Sequence, residues 1–474
     1  MAAVTSHIQL HPSHLGVFKA AEIAPGALEE CNKLLEKNHA AYHIFYRDPA
    51  FHNHTVHSLL TMLTLGATTS ELRDRYDEVA AIQRAIPEVD EKLLEGLGDN
   101  DVFYAAIGQI HQYHTFLEFF KRQIASRDYR DVVLTYVFGH TKVADRMLVQ
   151  MVEGAFHPII HLGIGIEFDQ PAIVAEALAQ AASHDRMNIE DVLFAAEKKA
   201  VASNRGASPK ESPLIDLVHA VRANDRVRTA PVWSDLGAKM KAGVVGRAGS
   251  EMAVIASQFT ISANEADLQR RTAEMVSVCA YMAGAVHKPG RARKIDFFVM
   301  HCVTSSIFCT VLALQKDWIP LADRARVVEF KARTDLMWYA AIGSPALDGR
   351  AISMYANTES DGLGWAELFR DVRRESDDGH AAKFIRALKS GEETARPYED
   401  SAEWGAYFPC KGEMWLRLAR LCQDTTKGTP WELKWVFFAG FEEGWKRPDL
   451  ADPLGRIAKP MDGFSGPEKS KVAA

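Results

Sequence analysis

The run FFVMHCVTSSIFCTVLAL at 297–314 constrains this chain more than any other stretch. Wound into a helix it is apolar around its whole circumference, so no face of it suits a protein surface. A bilayer suits it no better, because His301, Thr304, Ser305 and Ser306 interrupt it. It reads as a helix buried in the core of a large soluble protein. A chain of 474 residues is long enough to bury it among others.

The rest of the chain agrees. Apolar residues recur at helical spacing through 103–126, 143–162, 171–183, 189–203, 264–286, 321–342, 364–374, 380–389 and 431–445. Pro25 opens another helical stretch, APGALEECNKLLEKNHAAYHIFY. Thr69 or Ser70 is placed to cap TTSELRDRYDEVAAIQRAI. Only RDVVLTYVF at 130–138 is β-branched enough to suggest a strand, and no Asn-Gly hairpin signal accompanies it. The expectation is an all-α fold: one large single-domain helical bundle over 1–474, with its core at about 20–445 and a polar C-terminal tail at 446–474. Two polar stretches, 202–213 and 389–400, read as linkers too short to separate domains.

Several classes of function are disfavoured. A net charge of -7 without a basic stripe argues against nucleic acid. No apolar run is suited to spanning a membrane, and MAAVTSHIQLHPSHLG lacks the pattern of a secretory leader. The six cysteines form no C-x-x-C pair, so they read as buried thiols rather than a zinc site. A cytoplasmic protein is expected.

Four histidine clusters hold the chemistry. FHNHTVHSLL contains His52, His54 and His57; FHPIIHLGIGIEF contains His157 and His161, four apart and so on one helix face. His301 sits inside the apolar run, and ESDDGHAAKFIRAL places Lys383 three residues after His380. Each has an ordinary explanation when taken alone. His52 and His54 suit a cap or the surface, His157 a bend beside Pro158, His301 a satisfied core position, and Lys383 a solvated face. Taken together they suit a metal site, because helices that each turn an imidazole inward can build one between them. No H-E-x-x-H, paired E-x-x-H, G-x-S-x-G, Walker loop or strand-borne G-x-G-x-x-G is present. A zincin, a ferritin-like di-iron site and a resident FAD or NAD therefore lack their usual support.

The segments HNHTVHSLLTMLTLGA, FHPIIHLGIGIEF, HCVTSS and DDGHAAKFIRAL, in that order between about residues 51 and 388, resemble the questin oxidase-like family of fungal polyketide pathways. These Baeyer–Villiger-type oxidases act on anthraquinones and related aromatic polyketides. The likeness is strongest to the non-haem iron dioxygenase type, which opens the central anthraquinone ring. The resemblance implies an iron, Fe(II)/Fe(III), held by one histidine of the first cluster together with His161 or His157, His301 and His380. Within those choices His57 is preferred for its place inside the helix beside an apolar face, with His54 in reserve. His161 is preferred for lying beyond the proline, with His157 in reserve.

The resemblance also implies that Lys383 is a ligand as its carbamate. A protonated ammonium cannot bind a cation, but a buried, deprotonated amine can add CO2 and become an anionic oxygen donor. Asp377 and Asp378 precede His380, where one reads as the helix N-cap and the other as a candidate hydrogen-bond partner for His380. O2 is the implied cosubstrate, NADPH a diffusing reductant, and the substrate a small aromatic polyketide. Two other readings stay open. One is an HD-type phosphohydrolase, suggested by His184–Asp185. The other is a non-catalytic helical binding protein.

Overall fold

The computed structural model describes residues 7–48, 51–203 and 212–446. It is all-α except for one short antiparallel pair, Phe45–Arg47 with Phe51–His52. The segment 204–211 and the expected tail beyond 446 lie outside the described residues.

The apolar run forms the helix Phe297–Ala313, and only Phe297 and Thr310 in it keep appreciable exposure. It starts where it does because the Asp296 carboxylate accepts from the backbone N–H of Phe298 and Val299. Around it pack His157–Glu167, Glu265–Ala285, Leu321–Ala341 and His380–Glu399. The helix Thr55–Thr64 is buried at every position and meets both His157–Glu167 and His380–Glu399. Every helix that carries a singled-out histidine therefore converges on one region of the core.

Chain breaks make this convergence possible. The expected helix 143–162 is split, because Gly154, Ala155 and Phe156 all take positive φ and Pro158 opens the next helix. At Gly154 (φ 54°) a Cβ would fall 1.9 Å from His184 Nε2, so only glycine lets the chain turn there. The two halves, Lys142–Val152 and Gly154–Glu167, meet at 70°. No single helix among the described residues is long and apolar enough to cross a membrane.

The structure corrects several expectations. RDVVLTYVF is helical over Tyr129–Tyr136, started by Asp128 accepting from Arg130 N. The polar stretch 389–400 is no linker: it forms the last turns of His380–Glu399, where Lys389 pairs with Glu392 and Glu393 along the outer face. Thr68, not Thr69 or Ser70, caps Thr69–Ala80, in a reciprocal capping box with Glu71. The stretch opened by Pro25 is helical only over Ala27–Ala41, and the HIFY that follows enters the strand pair. The expected helix 431–445 is helical only at Trp431–Lys434 and in a final turn at Glu443–Trp445. Between them Val436 pairs with the chain before Phe297: Phe297 N donates to Val436 O and Val436 N to Ile295 O. Long-range backbone pairing outweighs local helical periodicity there.

Two of the histidine-bearing helices are tied by a buried ion pair. Both terminal nitrogens of Arg386 donate to Glu167, at 2.5 and 3.2 Å, and Nη2 also donates to Phe18 O. Arg386→Ala leaves the Glu167 carboxylate buried without its cation. It should cost about 3–5 kcal/mol of stability, read as a lower urea midpoint; an unchanged midpoint would show that the pair contributes nothing.

Candidate metal centre

His54 is the residue from which Thr55–Thr64 starts, His157 opens its own helix just after the Gly154 break, and His380 follows Gly379, which takes φ 76°. His301 enters from the second turn of the apolar helix. Their four rings form a closed circuit. Centroid separations are 4.9 Å from His54 to His157, 4.9 Å from His157 to His301, 5.4 Å from His301 to His380 and 4.7 Å from His380 back to His54. All four are buried.

Hydrogen bonds fix which ring nitrogens carry the protons. Nδ1 of His157 donates to Gly154 O at 2.6 Å, Nδ1 of His301 to Phe297 O at 2.7 Å, and Nδ1 of His380 to Asp377 O at 2.8 Å. A carbonyl only accepts, so each bond commits the proton to Nδ1 and leaves Nε2 with a lone pair. Nε2 of His301 and of His380 has no partner, and Nε2 of His157 lies 2.7 Å from Nε2 of His54. The other face of His54 meets the Asp378 carboxylate through Nδ1. Donor atoms of His54, Asp378 and His380 lie within 4.8 Å of one another, as do those of His52, His54 and His157.

The electrostatics suit ligation. Burial, reinforced by neighbouring imidazoles and Lys383, holds His54, His157 and His380 well below the usual histidine range. Burial lowers His301 to about 3. These are neutral imidazoles, the form that binds a cation. Lys383 lies one turn beyond His380, and its charge bears on all four rings. Four lysines are buried among the described residues. Lys331 pairs with Asp335, Lys434 with Glu375, and Lys239 donates to two backbone carbonyls. Lys383 alone of the four makes no side-chain hydrogen bond and has no carboxylate within ion-pair distance. Burial pulls its ammonium below the usual lysine range, against the opposing pull of Asp378 and Asp377.

The other singled-out residues lie around this circuit. His57 and His161 form a separate chain: His57 Nε2 is 3.0 Å from His161 Nδ1, His161 Nε2 donates to Glu176 at 2.8 Å, and the other Glu176 oxygen takes His39 Nδ1 at 2.6 Å. Burial alone would raise the Glu176 carboxyl, but the two imidazole hydrogen bonds outweigh it and hold it down to about 2. His52 stacks on His157 at 3.6 Å and faces His184. His184 in turn is joined to Asp185, whose side chain is 44% exposed.

The two aspartates divide their work differently from expectation. Gly379 stands at the helix start, Asp377 Oδ2 accepts from Ala381 N, and the Asp378 side chain serves His54 rather than His380. Trp338 stacks on Phe298 at the start of the His301 helix, whereas Tyr104 lines a separate surface pocket of about 410 Å³. Sequence reasoning missed the roles of Glu176, His39 and the carbonyls of Gly154 and Phe297. Only the short spacings Gly154–His157 and Phe297–His301 were visible locally.

Residues 51–388 match the questin oxidase-like family profile. The matched segment begins one residue before His52 and ends five after Lys383, so it contains every ligand candidate. The chain belongs to the questin oxidase-like family. Similar proteins include the Baeyer-Villiger monooxygenase dmxR6 of Cryptosporiopsis sp., 58% identical across 94% of this chain and 99% of its own. The Baeyer-Villiger oxidase AgnL3 of Paecilomyces divaricatus is 56% identical across 94% and 96%. The questin oxidase of Aspergillus fumigatus is 46% identical across 94% and 98%. This questin oxidase-like chain is thus an oxidoreductase by family.

Proposed function

We propose that the protein is an O2-dependent oxygenase that opens the central ring of an anthraquinone-type aromatic polyketide at an iron held by His54, His157, His301, His380 and Lys383. The observation that carries this reading is the closed circuit of four buried imidazoles, three of them with Nδ1 tied to a carbonyl and Nε2 left with its lone pair. A cation in the circuit would draw the His54 proton to Nδ1, beside Asp378, and relieve the contact between the two Nε2 atoms of His54 and His157. Four neutral imidazoles leave an iron charge uncompensated, and the Lys383 carbamate would add an anionic oxygen to the set. His57 and His161, preferred from sequence, become the support behind the ligands, because both nitrogens of His161 are already engaged.

Bound iron would supply a place where O2 is taken up and made reactive toward the ring carbon beside a substrate carbonyl. The chain's own part is to hold three of the rings in fixed tautomers, to set Asp378 behind the fourth, and to bury all four imidazoles. The reduced or hydroxylated substrate and a diffusing reductant, NADPH, complete the reading. The substrate class draws support from the relative named questin oxidase, and the oxidative reaction from the one named Baeyer-Villiger oxidase.

The test is oxygen uptake by iron-loaded protein given a hydroxylated anthraquinone and NADPH. A benzophenone-type acid should appear in air and not under argon. Product formed equally without O2, or one equivalent of flavin in the purified protein, would overturn the reading.

A further inference from the structure

Among the described residues, two rings other than histidine touch the four candidate ligands. Phe297 lies 4.7 Å from His301 and 5.5 Å from His380, and Trp431 lies 5.1 Å from His380. Phe437 extends the group, 4.9 Å from Phe297. All three aromatic residues are partly exposed, whereas the four imidazoles are buried. An apolar aromatic rim therefore lies between the surface and the imidazoles of His301 and His380.

The rim depends on the segment where helix was expected and extended chain is found. Residues 431–441 are strapped across the start of the His301 helix. Val436 pairs with the backbone on either side of Asp296, and Ala439 N donates to the Asp296 carboxylate at 2.8 Å, the same group that caps the helix. Lys434 is anchored to Glu375 at 3.0 Å and to Thr426 O at 2.8 Å. Buried polar groups hold the strap's backbone, and this leaves Trp431 and Phe437 to present their rings beside Phe297. Trp431 stands perpendicular to Phe297 at 6.0 Å. Flat aromatic molecules are bound by such edge and face contacts, at little conformational cost to the protein.

We propose that Phe297, Trp431 and Phe437 form the face that binds the flat ring system of the substrate, with Trp431 the residue that sets its affinity. This rests on the substrate class in the proposed function. It assigns binding to the C-terminal strap, which lies outside the family-matched segment 51–388. Trp431 is partly exposed on a four-residue helix at the edge of the core, and Trp431→Phe keeps a ring in its place.

The experiment is an anaerobic absorbance titration of a dihydroxyanthraquinone into the full-length, iron-free protein, with iron uptake measured separately. Trp431→Ala should weaken binding roughly tenfold, and Trp431→Phe should recover most of it. Both variants should take up iron like the parent. Trp365→Ala, which alters an aromatic residue on another helix, should bind as the parent does. Trp431→Ala binding as tightly as the parent would overturn the proposal. So would joint loss of iron and ligand, which would make the ring a support of the histidines. If the parent binds no anthraquinone, the substrate class itself is wrong and the proposal falls with it; if the parent binds and the variants do not differ, only the proposal falls.

Discussion

Lys383→Arg should leave the protein folded and strip it of iron. The side chain is buried one turn from His380, and its charge bears on all four imidazoles of the circuit. Arginine keeps a positive charge at any working pH and cannot form a carbamate. It would set a cation beside the iron where the proposed carbamate would supply an anion. Lys383→Ala removes the ligand without adding the charge, so it should lose affinity to a smaller degree. Replacing groups that merely support metal ligands already costs 10–100-fold in affinity, so loss of a ligand should exceed about a hundredfold. Lys383→Glu restores an anionic oxygen on a shorter stem and should recover part of the iron. Added bicarbonate should raise iron occupancy in the parent and not in any of the three variants. Iron analysis beside circular dichroism reads all of this; iron retained by a folded Lys383→Arg protein would refute the carbamate.

The histidine substitutions should divide into two classes. His54→Ala and His157→Ala each open the circuit and should abolish stoichiometric iron. His57→Ala and His161→Ala remove members of the chain that ends at Glu176 and His39, so iron should remain, with the thermal midpoint lowered. The cost for His161→Ala should be the larger, since it leaves the buried Glu176 carboxylate with one hydrogen-bonded imidazole in place of two. The reverse pattern, with iron lost from His57→Ala and His161→Ala and kept by the other two, would return the ligand roles to the residues that the sequence alone favours.

The difference between those pairs shows what the sequence could and could not convey. The apolar run around His301 announced a central buried helix, because nothing else can enclose it. The spacing of His380 and Lys383 put them on one face, because helical geometry is local. His54 looked like a helix-end residue and His57 like an inward-facing one, which is sound for an isolated helix. The tertiary structure buries both, and the partner that orients His54 is Asp378, 324 residues away. The same limit applies at His157, whose ring is oriented by the Gly154 carbonyl at a chain break that periodicity does not reveal. At 431–445 the aromatic residues recur as in a helix, yet the pairing of Val436 with the Ile295 and Phe297 backbone decides the conformation. At 389–400 polar composition suggested a linker, because the exposed face of a helix and a solvated loop have much the same composition.

X-ray absorption at the iron edge, on full-length protein loaded anaerobically with Fe(II) and desalted, tests the central claim most directly. The expected result is one iron per chain in a nitrogen- and oxygen-only shell dominated by imidazole scattering, lost on His54→Ala or His157→Ala. Protein that retains no iron, or iron whose imidazole scattering survives both substitutions, would contradict it.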